Sequence, residues 1–227
     1  MVSGTVLVVD EENPLGRGMV RELRLAGWRV AATFRKAERS DPAEDGSDIL
    51  RTPWGKASPV SARNVMLRTL TAFERIDAVV FTFSPSLKRI LLHEADYAEI
   101  EAAVDEWIRG TLFLLREALA QLVRQGSGVL ALVEGHSREG SAVSPPLEAM
   151  VRGGIAELSA SLLGSYGGEG VSILRFETSS PKTDQYVRFV AETLAASRGR
   201  PPRARSFRFR AAPRLLGRLP FRGRPAD

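Results

Sequence analysis

The 227-residue chain contains no cysteine and only two histidines, His93 and His136. Without cysteine there are no disulfides, thiolate metal sites or cysteine nucleophiles, and the chain suits a reducing compartment such as the cytoplasm. Two imidazoles are too few for a histidine-rich metal site, and no group of acids has metal-ligand spacing. No apolar run reaches the ~18 residues that a membrane span needs, and no basic-then-apolar leader precedes the first strand. A soluble cytoplasmic protein is therefore expected. Lysine is missing from residues 198–227, which hold ten arginines against one acid, Asp227. That tail carries +9 of a chain whose net charge is +5, so residues 1–197 stand at −4.

What is present, 44% hydrophobic and 26% charged residues, suits one globular domain with a sizeable core. Short apolar runs alternate with helix-length amphipathic segments. Strands are expected at 5–9, 28–34, 78–83, 129–133 and 171–176, with a short one in DILRT (48–52). Helices are expected at 16–26, 61–73, 97–124, 146–163 and 184–196. Strands separated by helices need crossovers, which predicts an α/β fold: a Rossmann-like, doubly wound parallel sheet of six or seven strands with helices on both faces. The body would be residues 1–197, and 198–227 an Arg/Pro-rich arm that includes a last strand near 205–210. In that arm Phe207, Phe209, Leu215, Leu216, Leu219 and Phe221 interleave with arginine. This composition fits either an arm laid on a neighbouring subunit or a surface for nucleic acid or anionic lipid, and the strand-like alternation favours the arm.

The first turn poses the functional question. VLVVDEENPLGRG (6–18) has the strand, turn and glycine of a unit that cradles a dinucleotide's pyrophosphate on a helix N-terminus. Yet Asp10, Glu11 and Glu12 place negative charge where a phosphate would sit. Charge favours reading them as caps of the following helix.

Element order and several phrases resemble the short-chain dehydrogenase/reductase family over residues 4–197: AGWRVAATFRK, RIDAVVF, WIRGTLFLLREAL, RQGSGVLALV, RGGIAELSASL and GVSILRF. The resemblance implies a nucleotide turn TGxxxGxG, whose glycines fall on Asp10, Pro14 and Gly16, so one of three remains. The family's NNAG falls on Phe81, Thr82, Phe83 and Ser84, and its catalytic asparagine falls on Trp107. Its tyrosine and lysine, YxxxK, fall on Glu148 and Arg152, which read most simply as an intrahelical ion pair and otherwise as a general acid with a ribose-side cation. The catalytic serine falls on Gly135 or on Ser137. His136 and Ser137 beside Glu134 are adjacent in one loop, a weak hydrolase pattern. Phe176 is followed by only ETSSPKT before the next helix, which leaves no room for the family's substrate lid.

The expectation is thus a non-catalytic protein with no cofactor and no metal, a structural or regulatory subunit. It would pair with itself or with an active paralogue through the helices at 97–124 and 145–163, using Trp107, Phe113, Leu114, Leu147, Val151, Ile155 and Leu158. The alternative is a divergent NADP(H)-dependent oxidoreductase, or one using NAD. In that reading Arg35 and Lys36 stand where the family contacts the 2′-phosphate. A third reading is binding of nucleic acid or an anionic surface through the tail.

Overall fold

A computed structural model of the chain describes residues 4–35, 49–88, 90–135, 144–166 and 168–211. Seven strands form one sheet: β1 (Thr5–Val9), β2 (Arg29–Arg35), β3 (Leu50–Trp54), β4 (Ala78–Phe83), β5 (Val129–Glu134), β6 (Ser172–Thr178) and β7 (Ala204–Phe209). Their order is β3-β2-β1-β4-β5-β6-β7, with every neighbouring pair parallel. The expected doubly wound α/β sheet is therefore present.

Alternation along the strands sorts the core into two layers. Leu7, Val9, Val79, Phe81, Leu130 and Leu132 face one way, against α2 (Pro59–Phe73), α4 (Gly110–Gln125) and α5 (Pro146–Ser165). Val6, Val8, Val30, Val80, Ala131 and Val133 face the other way, against α1 (Pro14–Leu25) and α6 (Thr183–Ser197). Continuous apolar strands such as TVLVV, buried at all five positions, exist because both faces are covered.

Several boundaries differ from the sequence expectation for local reasons. Helix α1 begins at Pro14, because Asn13 caps it by accepting the Gly16 N–H at 2.8 Å and proline suits the first turn. Ser58 moves the start of α2 to Pro59 in the same way, accepting the Ser61 N–H at 3.2 Å. The single helix expected at 97–124 is α3 (Tyr97–Ala103), a π-helical turn at Val104–Arg109, and α4. A π turn inserts one residue per turn and re-aims the side chains it carries, here Glu106 and Trp107.

The strand expected in the basic tail is β7, so the sheet continues beyond residue 197. Phe207 and Phe209 point into the α1/α6 layer, and Phe207 stacks on Phe176 of β6 with ring centroids 5.0 Å apart. Residues 212–227, with Leu215, Leu216, Leu219 and Phe221, lie outside the described residues. Because Phe207 is a core contact of the last strand, Phe207→Ala is expected to lower the unfolding free energy by about 2 kcal/mol in urea titrations. A flexible arm would show no change.

Candidate functional site

In a sheet of this order, the crevice for a ligand lies beyond the carboxyl ends of β1 and β4, where the strand order reverses. Here that crevice is laced by the chain's own polar groups. Asp10, the residue after β1, has φ +70°, a left-handed conformation that few residues other than glycine, asparagine and aspartate adopt readily. Its N–H donates to Thr33 Oγ1 at 2.9 Å. Asn13 Nδ2 donates to the Asp10 carbonyl at 2.9 Å and to Thr82 Oγ1 at 3.0 Å, and the Thr82 hydroxyl donates to the Val9 carbonyl at 2.8 Å. The ends of β1 and β4 are thus bridged by hydrogen bonds.

Gly16, where the resemblance places the last glycine of the turn, is explained without a ligand. A Cβ built there would stand 2.0 Å from the Asp10 carbonyl oxygen, so the turn itself demands glycine. Pro14 is the first residue of α1.

The acids do not cap α1, contrary to the expectation; Asn13 does, and no acid lies in its first turn. Asp10 and Glu11 pair instead with cations from β3 and the turn that follows it. Glu11, almost fully buried, accepts from Arg51 Nε at 2.9 Å. Asp10 Oδ2 accepts from Lys56 Nζ at 3.1 Å, and the same ammonium donates to Glu106 Oε1 at 3.2 Å. Lys56 also lies over the rings of Trp54 and Trp107, 5.4 and 5.0 Å from their centroids. Gly110 admits this arrangement, since a Cβ there would come within 2.7 Å of Lys56 Cβ. An ammonium between two carboxylates and two indoles thus stands beside the turn where sequence reasoning looked for a phosphate.

Arg35 donates to Glu106 as well, so the residue matched to the 2′-phosphate contact already has an anionic partner. Lys36 lies outside the described residues. Arg35, Trp54, Lys56, Ala102 and Glu106 line a shallow cleft of about 280 Å³. The indole N–H groups of Trp54 and Trp107 are buried with no acceptor among the described residues. Phe81 and Phe83 are core residues, their rings stacked at 6.1 Å.

Glu148 and Arg152 form the expected i, i+4 pair at 2.9 Å, with Glu148 buried and Arg152 half-buried. Glu148 Oε2 accepts the Leu87 N–H at 3.4 Å. Arg152 Nη2 donates to the Pro85 carbonyl at 3.1 Å, and Nη1 donates to the Gly135 carbonyl at 3.4 Å. The pair clamps the start of α5 to the segments after β4 and β5, and both carboxylate oxygens are engaged. Gly135 brings no hydroxyl, and His136 and Ser137 lie outside the described residues. Tyr186 is almost fully buried. Its hydroxyl donates to the Glu134 carbonyl, and burial above all, then Glu134 and Glu177, raises its pKa well above the ordinary tyrosine value. Among the described residues no cluster of His, Asp or Glu has the make-up of a metal site.

Only residues 179–182 separate β6 from α6, as expected for a chain without a lid. In that region an ion-pair ladder crosses three strands: Glu134 to Arg175 at 2.7 Å, Arg175 to Glu177 at 3.6 Å, and Glu177 to Arg208 at 2.6 Å. Sequence reasoning missed both this ladder and Lys56. Alternation along β6 and β7 is the one signal for the ladder. Lys56 has none, because its partners are 46 and 50 residues away.

The proposed interface residues are mostly spoken for. Trp107, Leu114, Leu147, Val151 and Ile155 are buried in the chain's own core, with Phe113 and Leu158 packed against it. Large apolar residues left exposed on α4 and α5 are Leu112 and Met150, each 45% exposed.

Removing the central cation leaves Asp10 and Glu106 facing each other without it. Lys56→Met, which keeps the stem, is expected to cost roughly 2–4 kcal/mol in chemical denaturation. The same change at Lys88, whose pair with Glu99 is on the surface, is expected to leave stability unchanged within error.

No protein-family model matches the chain. An uncharacterised protein of Treponema pallidum (strain Nichols) is 28% identical over 198 residues, covering 84% of this chain and 86% of that protein. Solved structures align over nearly the whole length at low identity. An NADH-dependent reductase, A1-R′, complexed with NAD gives a TM-score of 0.73 at 13% identity, covering 91% of this chain and 95% of that one. ElxO with NADP bound gives 0.72 at 16% identity, covering 91% and 97%. A short-chain dehydrogenase/reductase of Serratia marcescens gives 0.71 at 15% identity, covering 91% and 95%. The chain has the fold of the short-chain dehydrogenases/reductases.

Proposed function

We propose that this chain is a non-catalytic cytoplasmic subunit on the short-chain dehydrogenase/reductase fold, one that binds no nicotinamide cofactor and serves a structural or regulatory role in an oligomer. The observation that carries this is the Lys56 ammonium held between Asp10 and Glu106 at the turn after β1. A pyrophosphate entering there meets carboxylates already paired with Lys56 and Arg51, and would have to compete with Asp10 and Glu11 for those cations. Drawing Lys56 over to the phosphate would strip the two carboxylates of their cation. The reductases of this fold named above hold NAD or NADP. This chain differs at the glycines of the turn, and it has neither a phenol nor a lysine at Glu148 and Arg152.

One observation favours the competing reading, a divergent NADP(H)-dependent oxidoreductase. Arg35 and Lys56 both line the cleft beyond β2 and β3, where two cations suit a 2′-phosphate. Calorimetric titration separates the two readings. No saturable binding of NADPH or NADH is expected up to about 1 mM, and micromolar affinity for either overturns the non-catalytic reading.

The partner we propose is a second copy of the chain, or an active enzyme of the same fold, docked on α4 and α5. The outer face of α5 carries small residues, Ala149, Gly153, Ala160 and Gly164, with Met150 beside them and one exposed charge, Glu157, among them, and small residues allow close helix approach. A side chain at Gly153 meets nothing within 4 Å in the single chain. Gly153→Arg is therefore expected to leave the circular dichroism spectrum intact while converting dimer to monomer in analytical ultracentrifugation. A wild type that is monomeric at all concentrations, and that captures no enzyme of this fold, counts against the partner role.

A further inference from the structure

The basic tail is not a single feature. Its first three arginines lie in the connection from α6 to β7, at the amino end of the sheet, on the side opposite Lys56. There a cleft of about 320 Å³ opens between the starts of β4, β5 and β6 and that connection, and its walls include Arg75, Asp77, Ser127, Ser172, Arg198 and Arg200.

Each charged group has a definite surrounding. Asp77 is saturated: Oδ1 accepts from Arg75 Nε at 2.7 Å and Oδ2 accepts the Thr5 N–H at 2.9 Å. Arg75 Nη2 donates to Ser127 Oγ at 2.7 Å. Arg198 lies 4.8 Å over the Trp28 ring. Arg203 stands behind the wall, its Nη2 donating to Ser197 Oγ at 3.1 Å and its backbone N–H to Ser172 Oγ at 3.2 Å, while its buried Nε has no acceptor among the described residues. Arg200 is exposed, and no described residue accepts from its guanidinium. The carboxyl ends of α4 and α6 open on the same side, each equivalent to about half a negative charge. Three guanidiniums, those of Arg75, Arg198 and Arg200, thus line the cleft with a single carboxylate, Asp77.

We infer that this cleft binds a phosphate-type oxyanion carried on a small molecule. Guanidinium forks match the geometry of tetrahedral oxyanions, and the cleft is large enough for more than the anion alone. Neither the turn after β1 nor the Glu148–Arg152 clamp contributes to it, so the site is independent of whether a nicotinamide cofactor binds. Arg200 supports no structural contact, which makes it the residue to change.

Inorganic pyrophosphate is the probe, titrated calorimetrically at low salt into the full chain and into Arg200→Ala, with matched circular dichroism and Tm confirming the fold. Saturable one-to-one binding that weakens at least about tenfold in Arg200→Ala is expected. Absence of binding up to about 10 mM overturns the site, as does equal affinity in the variant, which would move the anion elsewhere. Binding of a single-stranded oligonucleotide without pyrophosphate would assign the charge to a polymer, and overturns the small-molecule site.

Discussion

One ammonium organises the carboxyl end of the sheet. Lys56 joins Asp10 from the turn after β1, Glu106 from the π turn before α4, and the rings of Trp54 and Trp107. With Arg35 on Glu106 the cluster has two cations and two anions, so it is neutral as a whole, and Lys56 and Asp10 are largely withdrawn from water. Charges in that state are costly singly and tolerable together. Three features that look unrelated in sequence answer to this cluster: Gly110, which leaves room for the Lys56 backbone and Cβ; the π turn, which presents Glu106; and the left-handed Asp10.

The same internal satisfaction recurs across the crevice. Asn13 and Thr82 bridge β1 and β4, and Glu148 and Arg152 bridge α5 to the segments after β4 and β5. A ligand crevice ordinarily leaves donors and dipoles facing solvent so that the ligand can complete them. Here most of those groups already have protein partners. The exceptions are the indole N–H groups of Trp54 and Trp107, buried donors whose acceptor the described residues do not supply. They sit around the lysine, which can donate but cannot accept.

How much of this was legible in sequence follows from the range of the interactions involved. Apolar runs such as TVLVV and the spacing of helices are local signals, so the parallel sheet, its strands and the missing lid were readable. Helix starts slipped by two residues where a side-chain cap, Asn13 or Ser58, fixes the first turn, since the cap lies outside the apolar period. The Glu148–Arg152 pair was readable because its members are one helical turn apart. Its burial was not, because that depends on Pro85 and Gly135 from other segments. Lys56 left no trace for the same reason. The interface residues show a different limit: apolar spacing on a helix is the same whether the stripe meets the chain's own sheet or another molecule. Val151 and Ile155 met the sheet.

Charge distribution joins the two ends of the fold. In sequence the chain divides into an acidic body and a basic tail, as though the tail stood apart. In the fold the first part of that tail returns along the α6–β7 connection and runs up β7, where Arg208 is matched to Glu177. At the carboxyl end, cations and acids are paired within hydrogen-bonding distance, so the field there is largely cancelled inside the protein. At the amino end the acids are fewer, and Asp77 is already engaged by Arg75 and by the backbone of Thr5. Paired charges hold a structure together, whereas a surplus of one sign acts on what approaches from outside. The end that holds the ligand in folds of this order is the cancelled one here, and the arginines of the α6–β7 connection lie at the other.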